Sequence, residues 1–144
     1  MFETVRDVIA SSDLAVLATC ADNQPHCSLM AYAVHEDYTR VFMLTRRESR
    51  KFKNISANPR VSLMVDTRLQ NPEQRSSVKA LTVNGVCSLC PDHEQKRLKN
   101  MLVAQHPQLK GLAALEDSVV VEVGAESFLL LDGVSDAQFF DLSV

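Results

Sequence analysis

Tryptophan is missing from this 144-residue sequence, and no lysine or arginine follows Lys110. Also missing is any apolar run near the ~20 residues that a membrane-spanning helix needs. Basic charge is not in excess: the net charge is −3, which argues against the broad basic face of a bulk nucleic-acid binder. Neither G-x-G-x-x-G nor G-x-x-x-x-G-K-[ST] occurs, so the usual nucleotide-binding loops are absent. The sequence has no internal repeats and no low-complexity segments. Its opening stretch, "MFETVRDVIASSDLAVLATC", places acidic residues early and lacks the basic-then-apolar order of a signal peptide. A soluble cytoplasmic protein is therefore expected, built as one domain over 1–144, with 46% hydrophobic residues to form its core.

The four cysteines are Cys20, Cys27, Cys87 and Cys90. In a cytosolic chain they are expected to be reduced. "CSLC" at 87–90 matches C-x-x-C, but it lies in a strand-like run, and a spacing of three on a strand puts the two thiols on opposite faces. Cys20 and Cys27 are too far apart for a standard zinc knuckle. Buried apolar cysteines and no metal site are expected. The four histidines, His26, His35, His93 and His106, fall at turns, strand ends and helix edges and are read as surface residues.

Periodicity gives the rest. Phe2, Val5, Val8 and Ile9 recur at helical spacing. "LAVLATC" (14–20) and "HCSLMAYAV" (26–34) flank the turn chemistry of "ADNQP" and predict a hairpin. "RVFMLT" (40–45) is a third strand. "SRKFKNISANP" is a helix capped by Ser49, with Phe52, Ile55 and Ser56 facing inward, stopped at Asn58-Pro59. "RVSLMVD" (60–66) and "VKALTVNGVCSLC" (78–90) are strands, the latter with a bulge expected at Gly85. "PDHEQKRLKNMLVAQHPQLKGL" reads as one helix, and "SVVVEVGAESFLLLD" (118–132) as the final strand or strand pair. The polar 67–77 stretch is a loop, and the tail has no clear periodicity. Three strands in succession exclude alternating βα units and predict an antiparallel barrel with added helices.

One segment does not fit a mildly acidic protein. "TRRESRKFKNIS" packs five cations into twelve positions. A helix start offers unpaired N–H groups and a partial positive charge, and cations there oppose the helix dipole. A bound phosphate would offset both. Thr45, Ser49, Arg50 and Lys51 are the candidate clamp. Arg46, Arg47 and Lys53 are read as surface charge. The alternative is a solvated basic face behind an ordinary cap.

The run "FMLTRRESRKFKNISANPRVSLMV" resembles the pyridoxamine 5′-phosphate oxidase family of FMN-binding split-barrel proteins. The resemblance rests on Thr45 at a strand end, Ser49-Arg50-Lys51 opening a helix, and Asn58-Pro59-Arg60-Val61 before an apolar strand. The preceding hairpin and the long strand ending at Cys90 also fit. This implies a mainly β fold: a six-stranded antiparallel split barrel with flanking helices, forming a homodimer with FMN at the subunit interface. It implies that Arg50 and Lys51 hold the FMN phosphate, that Leu44, Thr45 and Ser49 contact the cofactor, and that Ser28, Leu29, Met30 and Ala31 lie along the flavin. Ser28 stands where the oxidase has an arginine, and Ala80 where it has a glutamine. The C-terminal tryptophan and substrate-phosphate arginines have no counterpart. The resemblance therefore implies a related flavoprotein and not the vitamin B6 oxidase itself. Three readings stay open: an FMN-dependent oxidoreductase on a small substrate, a non-catalytic FMN carrier or store, and a split barrel holding another anion. No side chain is singled out as a catalytic acid or base.

Overall fold

Val5, Val8 and Ile9, spaced to share one face, are all buried beneath helix α1 (Phe2–Ser11). The computed structural model describes residues 2–142. After α1 come β1 (Leu14–Ala21), β2 (Gln24–Ala31), β3 (Ala33–Val34) and β4 (Arg40–Arg46). Helix α2 (Arg50–Ala57) leads into β5 (Arg60–Asp66) and β6 (Lys79–Leu89). Helices α3 (Asp92–Gln105) and α4 (Lys110–Ala113) precede the long strand β7 (Ser118–Asp132) and a last strand, β8 (Asp136–Asp141). None of the helices described is long and apolar enough to cross a membrane.

Every strand pairing is antiparallel, in the order β2-β1-β5-β6-β7-β4-β3, with β8 on β7. The two ends of that order are separated only by Tyr32. One stretch of chain thus supplies both edges, and the sheet curls into a barrel of six strand paths. The barrel is split along β2, which among the described residues pairs with β1 alone. The predicted single strand over 26–34 is accordingly two, because Tyr32 leaves one edge for the other. Its N–H donates to the Asp13 carbonyl at 3.2 Å, and its hydroxyl donates to Ile9 and Ser12 carbonyls, tying the joint to α1.

The barrel interior holds Leu17, Met43, Leu63, Leu81, Val83 and Phe128, with α1 packed into it. A second apolar cluster forms between the outer face of β4 and β7 and helix α3, from Phe42, Leu44, Val120, Leu98 and Leu102. Cys87 belongs to the first cluster and Cys90 to the second, as the three-residue spacing demands. Register shifts between Asn84 and Gly85. A Cβ on Gly85 would collide with the Gly124 carbonyl oxygen, so two backbones meet where only glycine fits.

Several expectations need correction. The tail forms β8 on β7, where Phe140 packs on the core while Phe139 is exposed. The helix predicted from Pro91 breaks at His106-Pro107, since the residue before proline resists helical angles. Ser56 is exposed and donates back to the Phe52 carbonyl, while Asn54 is buried in its stead. The amide of Asn54 donates to Thr19 Oγ1 at 3.1 Å and fastens α2 to β1. Cys27 is exposed and Cys20 half-buried, because both fall on outward positions of the hairpin. His106 is buried at 4% exposure.

Candidate functional site

The cap of α2 is built from the strand before it. Ser49 has extended backbone angles, and its Oγ accepts the N–H of Phe52 at 3.2 Å. The same hydroxyl donates to the Arg46 carbonyl at 2.8 Å and lies 3.1 Å from Thr45 Oγ1. Thr45 is 2% exposed. With the Ser49 proton spent on Arg46, the Thr45 hydroxyl is the donor between the pair. Both hydroxyls therefore fix the turn and have no donor to spare for a ligand. The N–H groups of Arg50 and Lys51 find no partner among the described residues. Nor do the side chains of Arg50 and Lys51 form an ion pair there.

Arg46, read from the sequence as surface charge, behaves differently. Its Nε donates to Asp117 Oδ1 at 2.9 Å and its Nη2 meets Glu48 Oε1 at 2.7 Å. The hydrogen bond from Arg46 is the main cause that holds the Asp117 carboxyl below its ordinary range. Arg47 donates its N–H to the Asp117 carbonyl and lays its guanidinium over the Phe52 ring. Its charge faces solvent, as predicted for a surface cation.

Between β2 and the β4–α2 turn lies a cleft of about 270 Å³. Of the nine residues predicted for the site, seven line it: Leu29, Met30, Ala31, Leu44, Thr45, Ser49 and Lys51. Arg50 is exposed on the first helical turn and does not line the wall. Ser28 does not line it either. It pairs with Leu17 and alternates with Leu29, so its side chain turns toward the barrel. Its Oγ is a buried side-chain polar atom without a hydrogen-bond partner among the described residues. Any contact of Ser28 with a ligand in the cleft falls to its main chain.

Three lining residues escaped the sequence reading: Arg46, Leu109 and Leu112. Arg46 precedes the cap, so helix-start chemistry does not single it out. The two leucines fall in the run that reads as one continuous helix from Pro91. His106-Pro107 was the available signal, since the rule that ends α2 at Asn58-Pro59 applies there too. Larger clefts of about 400 and 420 Å³ lie over the outer face of β1, β5 and β6 and between β4 and α3. In the second of these the cations are already matched, Arg40 by Glu122 and Arg97 by Glu94.

The outer face of the sheet carries a further feature. Leu29, Val16, Met64, Thr82, Leu129 and Phe139 occupy one register row across six strands. Leu29 is 69%, Met64 42% and Phe139 62% exposed. An apolar band thus starts at the rim of the cleft and crosses the sheet.

The family model for pyridoxamine 5′-phosphate oxidase matches residues 1–131. A pyridoxamine 5′-phosphate oxidase homologue of Schizosaccharomyces pombe is 26% identical, over 89% of this chain and 83% of its own length. Among solved structures, a haem-binding protein from Mycobacterium smegmatis superposes with a TM-score of 0.85 at 16% identity, over 96% of this chain. The chain spans 57% of that protein. An FAD-binding protein from Mesorhizobium loti superposes with a TM-score of 0.74 at 19% identity, covering 90% of this chain and 93% of its own.

Proposed function

The chain belongs to the pyridoxamine 5′-phosphate oxidase family, and from that premise we propose that it binds FMN in the cleft between β2 and the β4–α2 turn. One observation carries the reading. The cleft ends at the start of α2, where Lys51 lines it and Arg50 lies exposed beside it; the main-chain N–H groups of both residues and both cationic side chains are unpaired among the described residues, while the other walls are mostly apolar. A phosphate monoester suits the first and a flavin ring the second. The open edge of β2 adds main-chain donors and acceptors for the polar rim of the ring. Leu29 and Leu112 supply apolar surface.

The residues fit the cofactor, and the volume calls for a partner. At about 270 Å³ the cleft falls below the ~300–1,000 Å³ typical of ligand sites. A second copy seated on the apolar band would enclose it. The protein is then a homodimer with FMN at the interface, and it acts as an oxidoreductase on a small molecule. FMN, when bound, supplies the hydride or electron transfer. The chain's own part is to clamp the phosphate, present a dry wall and narrow the opening.

Haem is the second ligand class suggested by the likeness to a haem-binding protein. The lining favours flavin, since it contains no histidine, cysteine or tyrosine. Mass spectrometry of the small molecule that copurifies tests the reading, with FMN at one per chain expected. A colourless protein that takes up no added FMN would sink it. Anaerobic NADH or NADPH then separates enzyme from carrier: bleaching of the flavin bands supports a reductase, and an unchanged spectrum supports an FMN carrier or store.

A further inference from the structure

The imidazole of His106 sits where α3 ends and the turn carrying Leu109 begins. The main-chain N–H of His106 donates to the Leu102 carbonyl at 2.8 Å, and its main-chain carbonyl accepts from the Leu109 N–H at 2.9 Å. Those bonds are the ordinary ones of a helix end. The side-chain bond is different. His106 Nε2 lies 2.7 Å from the carbonyl oxygen of Tyr32, and the residue is buried at 4% exposure. A carbonyl only accepts, so Nε2 carries the proton and donates.

Tyr32 is the single residue by which the chain leaves β2 for β3. Its N–H and hydroxyl are spent on Asp13, Ile9 and Ser12. His106 satisfies the remaining main-chain group at the joint, the Tyr32 carbonyl. Just before Tyr32 stand Met30 and Ala31, on one wall of the cleft. Three and six residues after His106 stand Leu109 and Leu112, on the other. One buried hydrogen bond therefore joins two segments that both line the cleft.

We propose that His106 is a positioning residue: through Tyr32 it sets the distance between the β2 wall and the 107–113 wall, and so governs how firmly a ligand is held between them. The alternative is a core histidine whose loss loosens the whole barrel. The ligand readout rests on the FMN assignment above, but the structural readout does not.

The test compares His106→Gln, His106→Asn and His106→Leu by amide hydrogen exchange and by dissociation of added FMN. A glutamine amide reaches as far as Nε2, whereas asparagine falls short and leucine has no donor. Gln is expected to resemble the parent. Asn and Leu are expected to lose protection across 107–113, with β6 and β7 unchanged, and to release FMN about tenfold faster, the effect of one lost buried hydrogen bond. Parent-like exchange or parent-like FMN release in both Asn and Leu would overturn the proposal. So would a loss of protection spread evenly through β6 and β7. If the parent protein takes up no FMN, the cofactor reading fails, and the exchange pattern alone decides the role of His106.

Discussion

Thr45 Oγ1 and Ser49 Oγ lie 3.1 Å apart, joining the end of a barrel strand to the cap of the helix that follows. The contact makes Ser49 a structural hub as well as a lining residue of the cleft, because the same oxygen serves Phe52 and Arg46. Ser49→Ala is expected to cost about 1 kcal/mol in urea denaturation, the usual loss of a helix cap. Ser49→Asp keeps a capping oxygen and adds an anion beside the clamp. It should retain most of the stability and bind FMN more weakly than the alanine variant. Equal FMN affinity in the two variants would argue against a phosphate at this turn.

Arg50 and Lys51 carry the clearest test of the clamp. Replacing both by alanine is expected to weaken FMN binding roughly 10- to 100-fold, the range for lost charge-assisted hydrogen bonds. Riboflavin, which lacks the phosphate, should bind the parent and the double variant alike. Fluorescence titration with both flavins separates the clamp from the ring site. A parallel loss for both flavins would move the two cations out of phosphate binding and into general support of the cleft.

How much of this was legible beforehand follows from the range of each interaction. The barrel strands, the Ser49 cap and the bulge at Gly85 were readable because alternation, capping and glycine chemistry act over a few residues. The convergence of Leu29, Met30 and Ala31 on Leu44 and Thr45 was reached through the family resemblance. Local pattern alone does not bring β2 to the end of β4. Arg46 was missed because its role depends on Asp117, far away in sequence. His106 was misread because nothing adjacent to it in sequence reports that it reaches Tyr32. Strand β8 is not legible because its short, mostly exposed run shows no alternation, and β7 supplies the template.

The cysteines give a prediction that does not depend on any ligand. Burial, the leading cause, raises both Cys87 and Cys90 from the ordinary 9.0 to about 12. Cys27 is exposed and Cys20 half-buried. A thiol reagent at pH 8 is expected to modify Cys27 first and Cys20 more slowly, and to reach Cys87 and Cys90 only with denaturant. The pH dependence has a definite sign. Between pH 9 and 12 the unfolded chain loses thiol protons that the folded chain keeps, so stability falls as pH rises. Burial also raises the Tyr32 phenol, which acts in the same direction. Denaturation midpoints across pH 8 to 11 should therefore decline, and a flat profile would contradict the burial of these groups.

The apolar band bears on whether the cleft is completed by a second copy. Met64 lies on the outer face between Val16 and Thr82, at 42% exposure, and makes no contribution to the lining of the cleft. Phe139 marks the far end of the same row. Glutamate at either position leaves the core of a monomer intact, since both side chains already face outward. In a dimer seated on this face it would bury a charge without a partner, which is strongly unfavourable. Met64→Glu and Phe139→Glu are each expected to sediment as folded monomers where the parent sediments as a dimer, with melting curves still cooperative. If the interface also encloses the flavin, both variants should lose FMN even though no residue of the clamp has changed. A monomeric variant that keeps full FMN affinity would place the whole cofactor site within one chain. A parent protein that is itself monomeric with flavin bound would remove the second copy from the reading altogether.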